Sequence, residues 1–459
     1  MQVIDPSSGL ALERFEPIGS AEIEQRLERS QRAFLSWRRT SFSERSALLE
    51  RTAALLRERQ QALAERMARE MGKPVRQGRA EVEKCAWVCE HYAEHASAYL
   101  RSSPVTLGDD EAFVAYRPLG PVLSIMPWNF PLWQVLRHAA PALMAGNTVL
   151  LKHAENVPGC AADVAALFVD AGAPPGVFEN LPIDVRIDLP SIQNVIGDPR
   201  VRAVTLTGST RAGRSVGAAA GAALKSTVLE LGGSDPYVVL EDADLALAAE
   251  ACVLSRMINN GQSCVAAKRL IAVAPVYERF AALVERRMAG YALGNPSSEP
   301  TDLGPLARED LRDTLHDQVR RSVEAGARLV LGGEVPQRPG WWYPATVLAE
   351  VRPGMAAFDE ELFGPVAVLI SARDEAHAIE LANQTPYGLG AAVFTRDVER
   401  GRRIAETELE AGNCFVNSFV KSDPRLPFGG VGESGHGREL AREGILALVN
   451  VKTVYISAT

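Results

Sequence analysis

Short apolar segments alternate with helical segments along most of the chain after about residue 113. Runs such as VLSIMP, NTVLLKH, VRAVTLTGS and KSTVLELGG are rich in β-branched residues, and segments such as LWQVLRHAAPALMAG lie between them. A strand that is apolar along its whole length has to be covered on both faces, as in parallel βαβ units. A second alternating series runs from RLIAVA to CFVNSFV. The pattern therefore predicts an α/β fold with parallel sheets, divided near LGGSDP at residues 231–236.

Residues 20–99 have a different composition, rich in Ala, Arg, Glu and Leu, with no proline before Pro74. Three runs in this region carry helical periodicity. Gly72 suits a helix C-terminus, and Ser43 precedes the second run, where an N-cap residue is expected. We therefore predict a helical segment ahead of the first parallel sheet.

Composition argues against several functional classes. With 459 residues, 47% of them hydrophobic, the chain can bury large cores, and we expect two or three domains. A formal net charge of −8 argues against nucleic acid or an anionic membrane as the main partner. The N-terminus lacks the pattern of a signal peptide, and no apolar run has the length of a membrane span. We expect a cytoplasmic protein.

The six cysteines are spread through the chain, unlike the dense pattern of a secreted disulfide scaffold. Cys85 and Cys89 lie close to His91 and His95, so a metal site is one interpretation of this segment. The i, i+4 spacing of the two cysteines is more typical of a buried helical stripe. We expect no metal ion in the protein.

The segment TLTGSTRAG follows a predicted strand and opens a helix at about Thr210. Backbone N–H groups and the positive end of a helix at such a turn can hold a pyrophosphate. Gly208 and Gly213 are present, but Thr210 stands where the G-x-G-x-x-G pattern has its second glycine. An ordinary strand-to-helix turn stays the alternative.

Lys152 and Glu155 lie at the end of another predicted strand, in LLKHAEN. Open α/β sheets bind their ligands at the carboxyl ends of parallel strands. A carboxylate there can accept hydrogen bonds from ribose hydroxyls and would repel a 2′-phosphate. A solvated surface pair is the alternative.

Three side chains form a candidate catalytic set. Cys264 follows Gly-Gln-Ser in MINNGQSCVAAK, although an isolated cysteine is more often a buried structural residue. Glu230 ends an apolar strand, where partial desolvation raises a carboxyl pKa toward the range of a general base. Asn129, in MPWNFPLW, offers an amide to an oxyanion or else satisfies a turn. Together with a nucleotide-binding turn, these groups suit aldehyde oxidation through a thioester that water then hydrolyses.

Six motifs follow one another along the chain: PWNFP, LTGST, LELGGSDP, NNGQSC, EELFGPV and LPFGGVGESGHGREL. In these motifs, and in the 34 positions from Glu230 to Cys264, the sequence resembles the NAD(P)-dependent aldehyde dehydrogenase superfamily along essentially its whole length. The resemblance implies that Cys264 is the nucleophile and Glu230 the base for deacylation. It also implies an oxyanion hole formed by Asn129 and the backbone N–H of Cys264.

The resemblance further implies a set of cofactor positions, namely Trp128, Lys152, Glu155, Gly208, Ser209, Leu231, Glu361 and Phe363. Within this set, Lys152 and Glu155 would hold the adenosine ribose. Glu361 would hold the nicotinamide ribose, with Phe363 beside the ring. The carboxylate of Glu155 favours NAD as the cofactor, and NADP stays possible. The chain departs from the family pattern at His153, where many members have proline, and at residues 179–198, which lack a glycine-rich connection.

Several stretches around these motifs are most similar to bacterial NAD-linked succinate-semialdehyde dehydrogenases. The implied function is oxidation of succinate semialdehyde to succinate, with Phe428 lining the substrate site. Arg137 comes eight positions after Asn129, about two helical turns along, where its guanidinium could pair with the substrate carboxylate. A structural Arg137 bonded to another carboxylate is the alternative.

Two further basic residues, Lys421 and Arg425, are other candidates for the substrate carboxylate. Some semialdehyde enzymes carry a second arginine six positions before the catalytic cysteine, and that position here is Ile258. A broad-specificity aldehyde dehydrogenase therefore stays the alternative within the same chemistry. Outside it, a catalytically idle binding or structural protein and a plain thiol esterase are the alternatives.

The resemblance also implies an architecture. A Rossmann-like NAD-binding domain would comprise residues 1–100 and 119–235, and an α/β catalytic domain residues 236–435. A small β oligomerisation arm would combine residues 101–118, with a Gly-Asp-Asp turn, and residues 445–459. Such an arm predicts a homodimer or a homotetramer.

Overall fold

The computed structural model describes residues 1–108 and 110–457. The helices are α1 (Ser20–Trp37), α2 (Phe42–Glu58), α3 (Gln60–Met71), α4 (Val75–Tyr99), α5 (Trp133–Ala145), α6 (Pro158–Asp170), α7 (Leu189–Gly197), α8 (Thr210–Ala222), α9 (Leu245–Met257), α10 (Tyr277–Met288), α11 (Glu309–Glu324), α12 (Ala356–Asp359), α13 (Glu375–Asn383), α14 (Val398–Thr407) and α15 (Ala441–Leu446). None of the helices in this part of the chain combines the length and the apolar character needed to cross a membrane.

The strands are β1 (Gln2–Ile4), β2 (Ala11–Arg14), β3 (Ser103–Leu107), β4 (Asp110–Pro118), β5 (Pro121–Met126), β6 (Thr148–His153), β7 (Phe178–Asn180), β8 (Ala203–Thr207), β9 (Ser226–Glu230), β10 (Pro236–Val239), β11 (Arg269–Val273), β12 (Arg328–Leu331), β13 (Thr346–Ala349), β14 (Val366–Ala372), β15 (Tyr387–Gly388), β16 (Gly390–Phe394), β17 (Asn413–Val416), β18 (Val431–Gly432), β19 (Gly435–His436) and β20 (Val449–Ile456). Beyond the three main sheets, β1 pairs with β2, and β15 pairs with β18.

The first main sheet has six strands in the order β19-β9-β8-β5-β6-β7. The strands from β9 to β7 are parallel, and β19 is a short antiparallel strand contributed by the C-terminal region. β6 and β8 are buried along their whole length, as predicted for strands covered on both faces. Because parallel strands end at the same edge, Lys152, Gly208 and Glu230 come to one side of the sheet.

The second main sheet has seven strands in the order β12-β13-β14-β11-β10-β16-β17. All of its neighbouring pairs are parallel except β12 with β13. In sequence, the two sheets meet at residues 231–235, between β9 and β10. The α/β prediction with parallel sheets is confirmed, whereas the domain ranges stay a prediction.

The N-terminal helices pack around α4, which contacts α2, α3 and α5. Cys85 and Cys89 are fully buried in the apolar cluster between these helices. Over residues 1–108 and 110–457, no three or more His, Cys, Asp and Glu side chains are grouped to hold a metal ion.

The N-cap of α2 is Ser41, and the prediction of Ser43 at this position is wrong. The Ser41 hydroxyl accepts a hydrogen bond from the Glu44 N–H at 3.2 Å, and the Glu44 carboxylate accepts one from the Ser41 N–H at 2.7 Å. This reciprocal box requires a glutamate three residues after the cap, and Ser46 occupies that position relative to Ser43.

A third sheet projects from the two parallel sheets. Its order is β20-β4-β3, and all of its pairs are antiparallel, so the C-terminal strand joins the hairpin of β3 and β4. Val451, Tyr455 and Ile456 on β20 are exposed. The predicted Gly-Asp-Asp turn includes residue 109, which lies outside the described residues, as do residues 458 and 459 at the C-terminus.

Candidate active site

A turn of unusual backbone conformation precedes Cys264. Asn259 and Asn260 both have φ of 57°, and Gly261 follows with φ of 76°. Asparagine is one of the few residues other than glycine that adopts this left-handed region at low cost. A Cβ at position 261 would lie 2.2 Å from the carbonyl carbon of Gly364, so the close approach requires glycine. The motif NNGQSC thus encodes the turn that positions the thiol.

Cys264 is partly exposed and lines a cavity of about 540 Å³. Burial of the sulfur raises the pKa of the thiol to about 11, and the positive charges of Lys268 and Arg137 act in the opposite direction. The Lys268 ammonium donates to the backbone carbonyls of Cys264, at 2.6 Å, and of Ser263, at 3.0 Å. Lys268 thereby fixes the backbone of the segment that carries Cys264.

Asn129 is tied to the same turn. Its side-chain Nδ2 donates to the backbone carbonyl of Gln262 at 3.2 Å. Its backbone carbonyl accepts a hydrogen bond from Asn259 Nδ2 at 2.6 Å. A side-chain amide carries two N–H groups, so one stays available for a ligand oxygen. The predicted oxyanion donor therefore lies beside the segment that carries Cys264. Asn129 follows a strand of the first sheet, whereas Cys264 precedes a strand of the second.

A buried ion pair supports the Asn129 loop, and sequence reasoning missed it. Lys73 pairs with Glu81, and its ammonium donates to the Asn129 carbonyl at 3.0 Å. The other carboxylate oxygen of Glu81 accepts from the N–H groups of Leu132 and Trp133, each at 2.9 Å. Lys73 lies in the connection between α3 and α4, and Glu81 lies on α4 among other charged residues, so nothing in the local sequence marks either one as buried. Their partners could not be read from the sequence.

Glu230 ends β9 and is buried. Neither of its carboxylate oxygens has a hydrogen-bond partner among the described residues. Burial raises the pKa of Glu230 well above the ordinary glutamate value, and the negative charge of Glu439 adds to the rise. A Cβ at Gly429, where φ is 154°, would lie 2.6 Å from Glu230 Oε1. The site thus holds a desolvated carboxyl group that the backbone at Gly429 approaches closely, which only glycine allows.

Arg137 is almost fully buried and forms an ion pair with Glu439. It also donates to Thr207 Oγ1 at 3.2 Å, and its guanidinium lies 4.9 Å from the centre of the Phe428 ring. Its charge is therefore already matched by a protein carboxylate, which favours the structural alternative over the predicted substrate-binding role. That role stays a prediction. Glu439 lies in the GREL motif, but its pairing with Arg137 was not foreseen.

The predicted adenosine and pyrophosphate positions lie at the ends of two strands of the first sheet, β6 and β8, with β5 between them. Lys152, in β6, forms an ion pair with Glu155, which also accepts from the Val185 N–H at 3.3 Å. Ser209 is the N-cap of α8 and accepts from the Ala212 N–H at 3.3 Å. Because these strands are parallel, the predicted pyrophosphate position at the start of α8 and the predicted ribose position at Glu155 lie at one edge of the sheet, where open α/β sheets bind dinucleotides.

The EELFGPV segment contacts the turn that follows Glu230. Glu361 accepts from the Gly233 N–H at 3.0 Å and pairs with Lys268 at 3.1 Å. The Phe363 ring packs edge-to-face on Trp128 with centroids 5.7 Å apart. Leu231 packs on α8, where a Cβ at position 213 would lie 2.5 Å from its methyl carbons. The predicted nicotinamide-side residues therefore lie around the turn that follows Glu230.

His153 is buried and replaces the frequent proline without loss of structure. Its Nε2 lies 2.8 Å from the Pro131 carbonyl, and its Nδ1 accepts from the Ala154 N–H at 2.8 Å. Burial lowers the pKa of His153 to about 4, so the ring is neutral at physiological pH. It anchors the end of β6 to the segment that follows Asn129.

The comparisons with known proteins agree with this geometry. The model of the aldehyde dehydrogenase family matches residues 1–454. A succinate semialdehyde dehydrogenase (NAD(P)+), Sad, of Escherichia coli strain K12 is 48% identical over 452 residues, covering 98% of this chain and 97% of that protein. A probable succinate-semialdehyde dehydrogenase (NADP(+)) of Synechocystis is 45% identical and covers 99% of both chains.

Solved structures show the same likeness. The crystal structure of succinic semialdehyde dehydrogenase from Streptococcus pyogenes, in complex with NADP+ as the cofactor, superposes with a TM-score of 0.96 at 36% identity, covering 100% of both chains. The resemblance and the fold class predicted from the motifs are therefore confirmed. This chain belongs to the aldehyde dehydrogenase family.

Proposed function

We propose that the protein oxidises succinate semialdehyde to succinate with a nicotinamide dinucleotide. The observation that carries the proposal is the joint position of three groups: a thiol on a cavity wall, an amide tied to the thiol's own turn, and an unpartnered buried carboxylate. The choice of aldehyde is supported by the names of the relatives at 44–48% identity over nearly the whole chain.

The reaction starts when Cys264 Sγ, as thiolate, forms a bond to the aldehyde carbon. The carbonyl oxygen becomes an oxyanion, which the free N–H of Asn129 Nδ2 and the backbone N–H of Cys264 stabilise. Glu361 would hold the nicotinamide ribose of the cofactor, with Phe363 beside the ring. The cofactor would supply the hydride acceptor with which the carbon bonded to Sγ is oxidised to a thioester.

Hydrolysis completes the cycle. Glu230 takes a proton from water, and the oxygen of that water attacks the thioester carbon. The carbon–sulfur bond breaks, the acid leaves and Cys264 is regenerated. Gly233, three residues after Glu230, approaches the Cys264 carbonyl so closely that a Cβ there would lie 2.9 Å from it. The base and the nucleophile are thus carried by backbone segments in contact.

The proposed preference between NAD and NADP follows from the ion pair of Glu155 with Lys152. A free carboxylate would repel a 2′-phosphate, but Glu155 is already paired with Lys152, which weakens the repulsion. We therefore propose that the protein accepts NADP as well as NAD, with Glu155 setting the ratio. Replacing Glu155 by Gln should raise kcat/KM for NADP relative to NAD by severalfold. An unchanged ratio would contradict this assignment.

The test of the function follows NADH and NADPH formation with succinate semialdehyde and with butanal at equal concentrations. We expect a kcat/KM preference for the semialdehyde of about tenfold or more, which one charged contact of about 1.4 kcal/mol can supply. Cys264→Ala should abolish both reactions. Equal rates with both aldehydes would favour a broad-specificity enzyme, and ester turnover indifferent to the dinucleotide would favour a thiol esterase.

The third sheet is proposed as the site where subunits associate. β3 lies at its edge, with Val105 and Leu107 exposed, and β20 exposes apolar side chains as well. An exposed apolar edge strand is a template for pairing with a second chain. Sedimentation of the intact chain should show a dimer or a tetramer, and Val451→Asp should weaken it. A monomer at micromolar concentration would contradict the proposal.

A further inference from the structure

One buried ammonium connects two motifs of the site that are far apart in the sequence. Lys268 follows the turn that carries Cys264, and only 2% of its side chain is exposed. Besides the two carbonyls of Ser263 and Cys264 that it binds, its Nζ lies 3.1 Å from the Glu361 carboxylate of EELFGPV. Two carbonyls and one carboxylate therefore fix a positive charge directly behind the nucleophile segment.

Four charged side chains act on the Cys264 thiol: the cations Lys268 and Arg137, and the carboxylates of Glu361 and Asp235. Burial raises the pKa of the thiol to about 11, and Lys268 opposes this rise more strongly than Arg137 does. The nucleophilic form of a cysteine is the thiolate. The charge of Lys268 therefore favours the reactive form of the thiol.

The carboxylate of Glu361 acts in the opposite direction, because its negative charge raises the pKa of the Cys264 thiol. Its position is fixed by the backbone. Glu361 Oε1 accepts a hydrogen bond from the Gly233 N–H at 3.0 Å, and a Cβ at Gly232 would lie 2.5 Å from Oε2. Lys268 and Glu361 thus form a pair whose two members have opposite effects on one thiol.

Cys414 offers a comparison, because it is the other partly exposed cysteine. Burial raises the pKa of the Cys414 thiol to about 11 as well. Among the described residues, the charged side chain that acts on it is Asp235, and its Sγ lies 3.6 Å from the Ala411 carbonyl. The two thiols are therefore similarly buried, and they differ in the cation that accompanies Cys264.

We propose that the charge of Lys268 promotes ionisation of the Cys264 thiol and that Glu361 restrains this effect. The inference rests on the proposed function, because it concerns the thiol that we assign as the nucleophile. Lys268 is a positioning residue, since its contacts are with the backbone of Ser263 and Cys264 and with Glu361. The reactivity of the nucleophile is thus set by a pair that joins the NNGQSC segment to EELFGPV.

The test measures the rate at which iodoacetamide alkylates Cys264 between pH 6 and pH 10, without a dinucleotide, with peptide mass spectrometry to locate the label. The thiolate forms the sulfur–carbon bond and iodide leaves, so the rate follows the ionised fraction. In Lys268→Met the rate at pH 8 should fall about tenfold, because a nearby opposite charge is lost. In Glu361→Gln it should rise about threefold or more, because the opposing carboxylate is neutralised.

Two controls separate the charge from a general effect of the substitutions. Labelling of Cys414 in the same samples should stay within about twofold in every variant. Lys225 also donates to two backbone carbonyls, those of Ile196 and Asp198, but it lies at the opposite end of β9 from Glu230. Lys225→Met should therefore leave the labelling rate unchanged.

A conservative variant tests whether the charge itself matters. Lys268→Arg retains the positive charge, and its labelling rate should stay within about threefold of wild type. A rate as low as that of Lys268→Met would contradict a role for the charge. The opposite shifts in Lys268→Met and Glu361→Gln are the result that a purely structural pair does not produce, because loosening the same segment from either side changes the rate in one direction.

The outcomes also separate the inference from the function on which it rests. Unchanged labelling in Lys268→Met, or slower labelling in both Lys268→Met and Glu361→Gln, would overturn the inference, whereas aldehyde oxidation by wild type would still support the proposed function. A wild-type protein that reduces no dinucleotide with any aldehyde would overturn the proposed function. Opposite labelling shifts in that protein would still support the effect of the pair on the Cys264 thiol.

Discussion

Two buried glutamates, Glu81 and Glu230, have opposite surroundings. Glu81 pairs with Lys73 and accepts two backbone N–H groups, so its charge is fully matched. Glu230 has no hydrogen-bond partner among the described residues, and a second carboxylate, Glu439, lies near it. Buried polar groups whose hydrogen bonds are all formed make a structure rigid. A buried polar group without hydrogen-bond partners lowers the stability of the fold, and its shifted pKa is typical of a functional site. The comparison distinguishes Glu81, which stabilises the Asn129 loop, from Glu230, for which we propose a role in the reaction.

The largest effect is expected at Glu230. Glu230→Gln removes the base for hydrolysis, so steady-state turnover should fall by roughly 10³-fold. The first turnover should survive, giving a burst of reduced dinucleotide close to one equivalent per active site. Stopped-flow measurement of the burst checks this. Loss of the burst together with the steady state would place Glu230 in the first half of the reaction instead.

The same variant tests the stability cost of Glu230. The folded-state pKa lies above the ordinary value of 4.5, so the stability that the proton confers is present below that value and is lost as the pH rises toward the folded-state pKa. Glu230→Gln does not titrate. Its free energy of unfolding relative to wild type should therefore increase between pH 5 and pH 8. A constant difference across that range would contradict the raised pKa.

The second effect is expected at Glu81. Glu81→Gln leaves Lys73 charged and unpaired in the interior, which should lower the free energy of unfolding by about 3–5 kcal/mol. Denaturant unfolding measures the loss. Glu83→Gln is the matched control on the same helix, because Glu83 forms an exposed pair with Arg57 and should contribute less than about 1 kcal/mol. Equal losses in both variants would mean that the buried pair is not what stabilises the Asn129 loop.

The smallest effect is expected from Glu439→Gln. Burial is the main cause of the raised pKa of Glu230, and the Glu439 charge adds to it, so removing that charge should lower the pKa. Because the base acts when ionised, the acidic limb of the deacylation profile should move to lower pH. Glu443→Gln, an exposed change on α15, should leave the profile in place. An unmoved limb in Glu439→Gln would mean that desolvation alone sets the pKa.

Local sequence patterns led to the three candidate catalytic residues, Cys264, Asn129 and Glu230. Each lies at or just after a strand or a turn that a few neighbouring residues specify, so its place in the fold could be predicted, whereas its catalytic role stays a prediction. The N-cap of α2 was misassigned by two residues because the serine alone was considered, without the glutamate three positions later.

The sequence by itself determined the α/β class, the parallel strands and the residues at their carboxyl ends, because burial on both faces leaves a periodic pattern in the chain. Only the tertiary structure decided which charges are matched. Arg137 meets Glu439 across some 300 positions, and Lys84 meets Ser422 across 338. A single sequence does not show which residue pairs with a given charged side chain. The pairing depends on distances that only the packed sheets and helices establish. The role of a charged residue here therefore follows from what the fold places beside it.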